Sequence, residues 1–295
     1  MSRRVAFVMG TPRSGSTLLG AMLGSHPDAA MLGELDRLAA VRRERGRAGG
    51  TCVLCDGPCP VWDRRAPRSF VPLHYTRGLR RLPTPPGMRG YYGTLFAATG
   101  ARVLVDTSKN PAWLERRLCH AADWRAARPR FVLITRDGRG TLASWIRRRP
   151  GMAVADHVAL WARGVRALMA AYEAFDPAGR VRLSYEALVA DPAGTLTPVC
   201  AALGLDPDPA MVEYWRHDHH PVAGNVGTLS LVAGWRRANG LPVRAVAEVA
   251  RDQSIYDRHG PAIFDDQRWR TELDAAALAA FEAGAGDLNR SLGYG

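Results

Sequence analysis

Lysine is all but missing from this chain: of its 40 basic residues only Lys109 is a lysine, and all the rest are arginines. Long apolar runs are missing as well. The longest span about five residues, as in Val5-Ala6-Phe7-Val8-Met9, whereas a membrane-spanning helix needs ~20. The opening MSRRVAFVMG lacks the apolar core and cleavage site of a secretory signal, so a cytoplasmic protein is expected and no membrane partner. Cysteine is sparse, five in 295 residues. A secreted disulfide scaffold is denser and even-numbered. Internal repeats and low-complexity tracts are absent. With 47% hydrophobic and 23% charged residues the composition is globular, not disordered or collagen-like.

What is there begins with charge. A formal net charge of +12 favours polyanionic partners: nucleic acid, an acidic surface or a phosphate-rich ligand. A basic nucleic-acid-binding protein is one reading, but no helix-turn-helix, zinc-finger or RNP signature accompanies it, so nucleic acid is not an expected partner. Arginine is a wide planar fork and lysine a compact point charge on a thin stem. A lone lysine in an arginine background is either a chance survivor on a solvated face or the occupant of a tight anion site.

Apolar runs and helical patterns alternate along the chain. Strands are expected at Arg3–Met9, Arg102–Asp106, Arg130–Thr135 and Val181–Ser184. Helices are expected at Ser16–Ser25, Glu34–Arg47, Pro111–His120, Arg139–Arg148, Met152–Phe175, Tyr185–Val189 and Leu196–Leu203. Continuous apolar strands alternating with helices imply an α/β fold, a P-loop-like parallel sheet with helices on both faces. Ligands of such sheets bind at the carboxyl ends of the strands. Residues 46–89, rich in Gly, Pro, Arg and Cys, read as an irregular insertion or lid within a single domain spanning 1–295. Inside it, Cys52, Cys55 and Cys59 form CxxCxxxC. Structural zinc takes four ligands; three are local here and His74 is available as a fourth. Free thiols in a lid are the plainer reading, and no metal is assigned.

Gly10-Thr11-Pro12-Arg13-Ser14-Gly15-Ser16-Thr17 joins the first strand to the first helix. A phosphate-binding loop reads GxxxxGK[ST] in that context. The glycines and the trailing hydroxyl are in place, but Ser16 stands where the lysine belongs. The loop still aims backbone N–H groups and a helix N-terminus at an anion. It lacks the lysine that bridges β- and γ-phosphates. A degenerate P-loop kinase is therefore the weaker reading, with Asp106 its only candidate Mg²⁺ partner. A phosphosulfate fits better, because a sulfuryl group carries less charge than a phosphoryl and does not oblige a metal.

The loop together with the helix after it, TPRSGSTLLGAMLGSHPD and then GEL, resembles the 5′-phosphosulfate loop of sulfotransferases. The branch resembled is tyrosylprotein-sulfotransferase-like and bacterial. Phe131–Arg148, FVLITRDGRGTLASWIRR, is similar to that family's 3′-phosphate segment, an Arg after a strand and a Ser eight residues later. VDTSKNP and RLSYEALVADP resemble two further blocks, in the family's order. The resemblance implies 3′-phosphoadenosine 5′-phosphosulfate as donor and a hydroxyl-bearing acceptor: a small molecule, a sugar or a tyrosine-like phenol. It leaves a homodimer open. The RKGxxG loop of cytosolic sulfotransferases is missing.

By that resemblance Arg13 contacts the sulfuryl and 5′-phosphate oxygens together with the N–H groups of Ser14, Gly15, Ser16 and Thr17. Lys109 stabilises the bridging oxygen and Ser108 assists or caps the next helix. Arg136 and Ser144 hold the 3′-phosphate, with Arg148 and Tyr185 as weaker contacts. Glu34 is the candidate general base, with His26, Asp36 and His74 as rivals. A late loop, Gly224–Ser230, offers Asn225, Thr228 and Ser230 to the donor. Trp145, Trp161, Trp215, Trp235 and Trp269 are candidates for an acceptor-pocket floor, though singly each is more often core.

Overall fold

A computed structural model describes residues 2–45, 50–62, 90–119, 124, 127–244, 259–260 and 263–295. Five parallel strands form one sheet: β1 (Arg3–Met9), β2 (Ala29–Gly33), β3 (Val103–Asp106), β4 (Ala127–Thr135) and β5 (Arg180–Ser184), in the order β2-β3-β1-β4-β5. β1 is central, pairing Val5 with Leu104 on one side and with Pro129 on the other. Val5 to Met9 are fully buried. That burial on both faces explains the unbroken apolar run.

Helices flank the sheet: α1 (Ser16–Gly24), α2 (Leu38–Arg45), α3 (Tyr91–Thr99), α4 (Pro111–Leu118), α5 (Gly138–Arg148), α6 (Val154–Glu173), α7 (Tyr185–Ala190), α8 (Pro192–Leu203), α9 (Val226–Ala238), α10 (Trp269–Glu272) and α11 (Ala275–Ser291). α5, α6, α10 and α11 build a second core around Leu142, Val158, Trp161 and Phe281.

Three expectations need correction. Ala29–Gly33 is a strand that the sequence hides, since Ala-Ala-Met-Leu-Gly has no β-branched residue. The helix expected from Glu34 begins as a single 3₁₀ turn, Leu35–Arg37, and becomes α2 only at Leu38. The late loop at Gly224–Ser230 is the start of α9, capped by the Asn225 side chain on the Thr228 amide. Of the segment read as an insertion or lid, residues 50–62 pack into the main core through Cys52, Leu54, Cys55, Cys59, Val61 and Trp62. Its remainder, His74 included, lies outside the described residues.

Candidate active site

Every strand ends at a residue of interest. Arg13 follows β1, Glu34 follows β2, Lys109 follows β3, Arg136 follows β4 and Tyr185 follows β5. All five line one cavity of about 730 Å³ at the carboxyl edge of the sheet. The strand ends form a rigid frame, which is how residues 172 positions apart in sequence come to share one site.

The loop after β1 is shaped by two glycines. A Cβ on Gly10 would meet the Ile134 carbonyl oxygen at 2.6 Å. Gly15 has φ 91°, and a Cβ there would stand 2.6 Å from Tyr185 Cδ2. The Ser14 amide donates to the Thr11 carbonyl (3.1 Å) and so closes the turn. It is not one of the amides left for a ligand, and Ser14 does not line the cavity. Among the described residues no side chain caps α1. By contrast α4, α5, α7, α8, α9 and α11 are capped by Asn110, Asp137, Ser184, Asp191, Asn225 and Asp274. The first-turn N–H groups of α1 have no acceptor within the helix. They open on the cavity at Ser16, Thr17 and Leu18, which makes them an anion cradle.

Two cations sit in an unusual backbone. Among the described residues, Arg13 (φ 78°) and Lys109 (φ 60°) are the only non-glycines with positive φ. That conformation costs on the order of 1–2 kcal/mol for an ordinary residue, and such strain gathers where side chains must be aimed. Arg13 Nε donates to Ser144 Oγ at 2.8 Å. The Trp145 indole fixes the loop through the Pro12 carbonyl (3.1 Å). Lys109 Nζ lies 2.6 Å from Glu34 Oε1 and donates to the Thr107 carbonyl at 3.0 Å. The pair is shielded but not sealed, at 12% and 17% side-chain exposure.

Arg136 is held on three sides. It donates to the Arg13 carbonyl (3.1 Å) and the Asp266 carbonyl (2.8 Å), and its guanidinium lies 4.3 Å from the Tyr185 ring centroid. The Tyr185 hydroxyl donates to the Phe264 carbonyl (3.1 Å), and burial pushes its phenol up to about 12. Burial works against the Asp266 carboxylate, but Arg268 and Arg136 outweigh it and hold the group at about 2.

Residues 6–209 match the family model described as "Sulfotransferase family". The chain belongs to the sulfotransferase family. It is similar in fold to the sulfotransferase domain of the Synechococcus PCC 7002 olefin synthase, with TM-score 0.60 and 19% identity over 100% of this chain and 96% of that one. The sulfotransferase domain from the curacin biosynthetic pathway superposes with TM-score 0.53 and 17% identity, covering 99% and 98%. No curated protein matches.

The remaining expected site residues of this sulfotransferase divide by where they point. Ser144, Arg148, Asn225 and Thr228 line the cavity. Ser108 and Ser230 do not: the Ser108 hydroxyl is turned to Asp106, and the Ser230 hydroxyl donates to the Gly227 carbonyl in its own helix. His26 is a turn element, bonded to Asp206 and to the Asp28 amide. Asp36 lies behind the cavity, where burial, then the neighbouring Asp106 carboxylate, raise it to about 6. Of the five tryptophans only Trp145 reaches the cavity. Trp161 and Trp269 belong to the second core.

Asp106 is no Mg²⁺ partner here. Its oxygens accept from Tyr92 Oη (2.7 Å), Trp113 Nε1 (2.9 Å), the Ser108 amide (3.0 Å) and the Ser108 hydroxyl, and it is fully buried. Those four donors occupy the carboxylate and fix the turn that carries Lys109. Several cavity residues carry no signal in the sequence: Arg37, 3.8 Å from Glu34, Arg149 and Arg268, and His157, whose buried Nδ1 has no hydrogen-bond partner among the described residues. His157 sits on the apolar stripe of α6, where spacing reads it as core.

Proposed function

We propose that this enzyme transfers a sulfuryl group from 3′-phosphoadenosine 5′-phosphosulfate to the hydroxyl of a small-molecule, sugar or tyrosine-like acceptor. The observation that carries the reading is the convergence of Arg13, Lys109 and the uncapped N-terminus of α1 on one cavity, with a carboxylate, Glu34, against the lysine. The donor supplies the sulfuryl group, whose S–O bond to the 5′-phosphate breaks as the acceptor oxygen bonds to sulfur.

The chain's own residues do the rest. The amides of Gly15, Ser16 and Thr17 and the Arg13 fork bind the charged end of the donor. They stabilise charge that grows on the departing oxygen, and they are already oriented for it. Lys109 adds a point charge at the same place. Glu34 takes the acceptor's proton. Its ion pair with Lys109 aims it before an acceptor arrives. Arg136, Ser144 and Arg148 form the second anion subsite, for the 3′-phosphate, with Tyr185 beneath. Asn225 and Thr228 also line the cavity, with the Asn225 amide on Thr17 Oγ1.

A thermal-shift panel tests the donor class. 3′,5′-adenosine bisphosphate is expected to raise the melting temperature in the absence of metal, and ATP with Mg²⁺ or duplex DNA to leave it unchanged. Labelled donor with a panel of hydroxyl compounds then tests transfer. Stabilisation by ATP and Mg²⁺ but not by the bisphosphate overturns the reading.

A further inference from the structure

Away from the cavity, four metal-ligating side chains meet. Cys52, Cys55 and Cys59 are buried, at 1%, 4% and 1% exposure. None of them is in a disulfide. Among the described residues the fourth member is His220, distant from them in sequence. The four ligand atoms all lie within 4.8 Å of one another. His220 Nδ1 stands 3.2 Å from Cys55 Sγ and 3.6 Å from Cys59 Sγ. Zn–S and Zn–N bonds of ordinary length at tetrahedral angles put S···N at about 3.5 Å and S···S at about 3.8 Å. The cluster is therefore near the size of a metal's coordination shell.

The surroundings fit as well. The other imidazole nitrogen, Nε2, faces Asp218 Oδ2 at 3.5 Å, the carboxylate contact that orients a metal-bound histidine. The His220 carbonyl accepts from the Trp62 indole at 2.7 Å. The Leu54 amide points at Cys52 Sγ (3.4 Å). Arg236, 4% exposed, pairs with Asp218 and reaches Cys55 Sγ at 3.7 Å. Three thiolates around a divalent ion leave one net negative charge, and this guanidinium is placed to balance it.

We propose that Cys52, Cys55, Cys59 and His220 bind one structural zinc ion. Three sulfurs and one nitrogen select zinc, and a four-ligand set leaves no open position for chemistry. None of the four lines the cavity. The ion instead clamps the cysteine segment to the stretch from Asp218 to Ala223. That stretch carries on into the site: the Val222 amide donates to the Leu32 carbonyl (2.9 Å), the Glu34 amide to the Ala223 carbonyl (3.2 Å), and the Asn225 amide to Thr17 Oγ1 (3.0 Å). The metal thereby braces the chain against which Glu34 and Thr17 are set. Zinc binding at this cluster does not depend on which group the cavity transfers.

The full-length protein, purified without chelators, is expected to carry about one zinc per chain by elemental analysis. After exchange into Co²⁺ it should show the thiolate charge-transfer and intense tetrahedral ligand-field bands of an S₃N site, and zinc should abolish them. Cys55→Ser and His220→Ala should each weaken zinc binding by at least about tenfold, while Cys119→Ser, at an exposed position, should not. Wild-type protein without metal, a disulfide among Cys52, Cys55 and Cys59, or an octahedral cobalt spectrum would each overturn the proposal. The wild-type cobalt spectrum decides even if the variants fail to fold.

Discussion

Arg13 and Lys109 share a left-handed backbone and differ in what faces them. Arg13 turns to a neutral hydroxyl, Ser144, from a loop whose amides have no capping side chain. Lys109 turns to a carboxylate, Glu34, from a turn secured by the buried Asp106. Arg13 stands in the cavity beside the N-terminus of α1, so that side is built to receive negative charge. The Lys109 side is already neutralised from within. In the proposed reaction, charge stabilisation and proton acceptance are coupled there: whatever draws Lys109 towards a leaving oxygen frees Glu34 to take a proton. On that proposal one turn binds and the other reacts.

Substitutions can break that distinction. The largest effect is expected at the reacting turn. Glu34→Gln and Lys109→Ala should each lower kcat with labelled donor by about 10²–10⁴-fold. Lys109→Arg should not restore it, because a broad fork cannot occupy a site framed by Glu34 at 2.6 Å and the Thr107 carbonyl at 3.0 Å. Arg13→Ala should weigh more on the donor KM than Lys109→Ala does. The opposite split in kcat and KM would dissolve the contrast.

A smaller effect is expected from Gly15→Ala. A φ of 91° and a Tyr185 carbon at 2.6 Å should together cost about 1–3 kcal/mol in a urea titration. Tyr185→Leu in the same chain should recover part of it. The smallest concerns Asp36, the carboxylate near the reacting turn that does not line the cavity. Folded, it holds its proton up to about 6, against 3.8 ordinarily. Its contribution to stability is therefore complete below about pH 4 and is lost as pH rises through about 6. Asp36→Asn should raise stability by about 1 kcal/mol at pH 8, change nothing at pH 4 and leave turnover near wild type. A drop in kcat like that of Glu34→Gln would move the base to Asp36.

The fold and the site are legible in the sequence wherever their signal is local. β1, β3, β4 and β5 announce themselves in Val, Ile and Phe, and the cations after three of them are found by counting from the strand ends. β2 is built of Ala, Met, Leu and Gly. Its register against β3 makes it a strand, and that pairing has no local trace. Glu34 is found by family pattern, but its ion pair with Lys109 spans 75 residues. His220 lies 161 residues from Cys59, so no spacing rule links them. His157 and Asp266 escape for a similar cause: one is disguised by an apolar helix face, and the other comes from a stretch that suggests no element.

The grip of Arg136 on the Arg13 carbonyl has a consequence for how the cavity discriminates between ligands. With the donor bound as proposed, the side chain of one subsite is a strut for the peptide of the other, so neither end of a long anion would be sensed alone. A nucleotide trimmed at its distal end would then forfeit an ionic contact and also loosen the geometry at the end that remains. On that proposal, selection is a measurement of length.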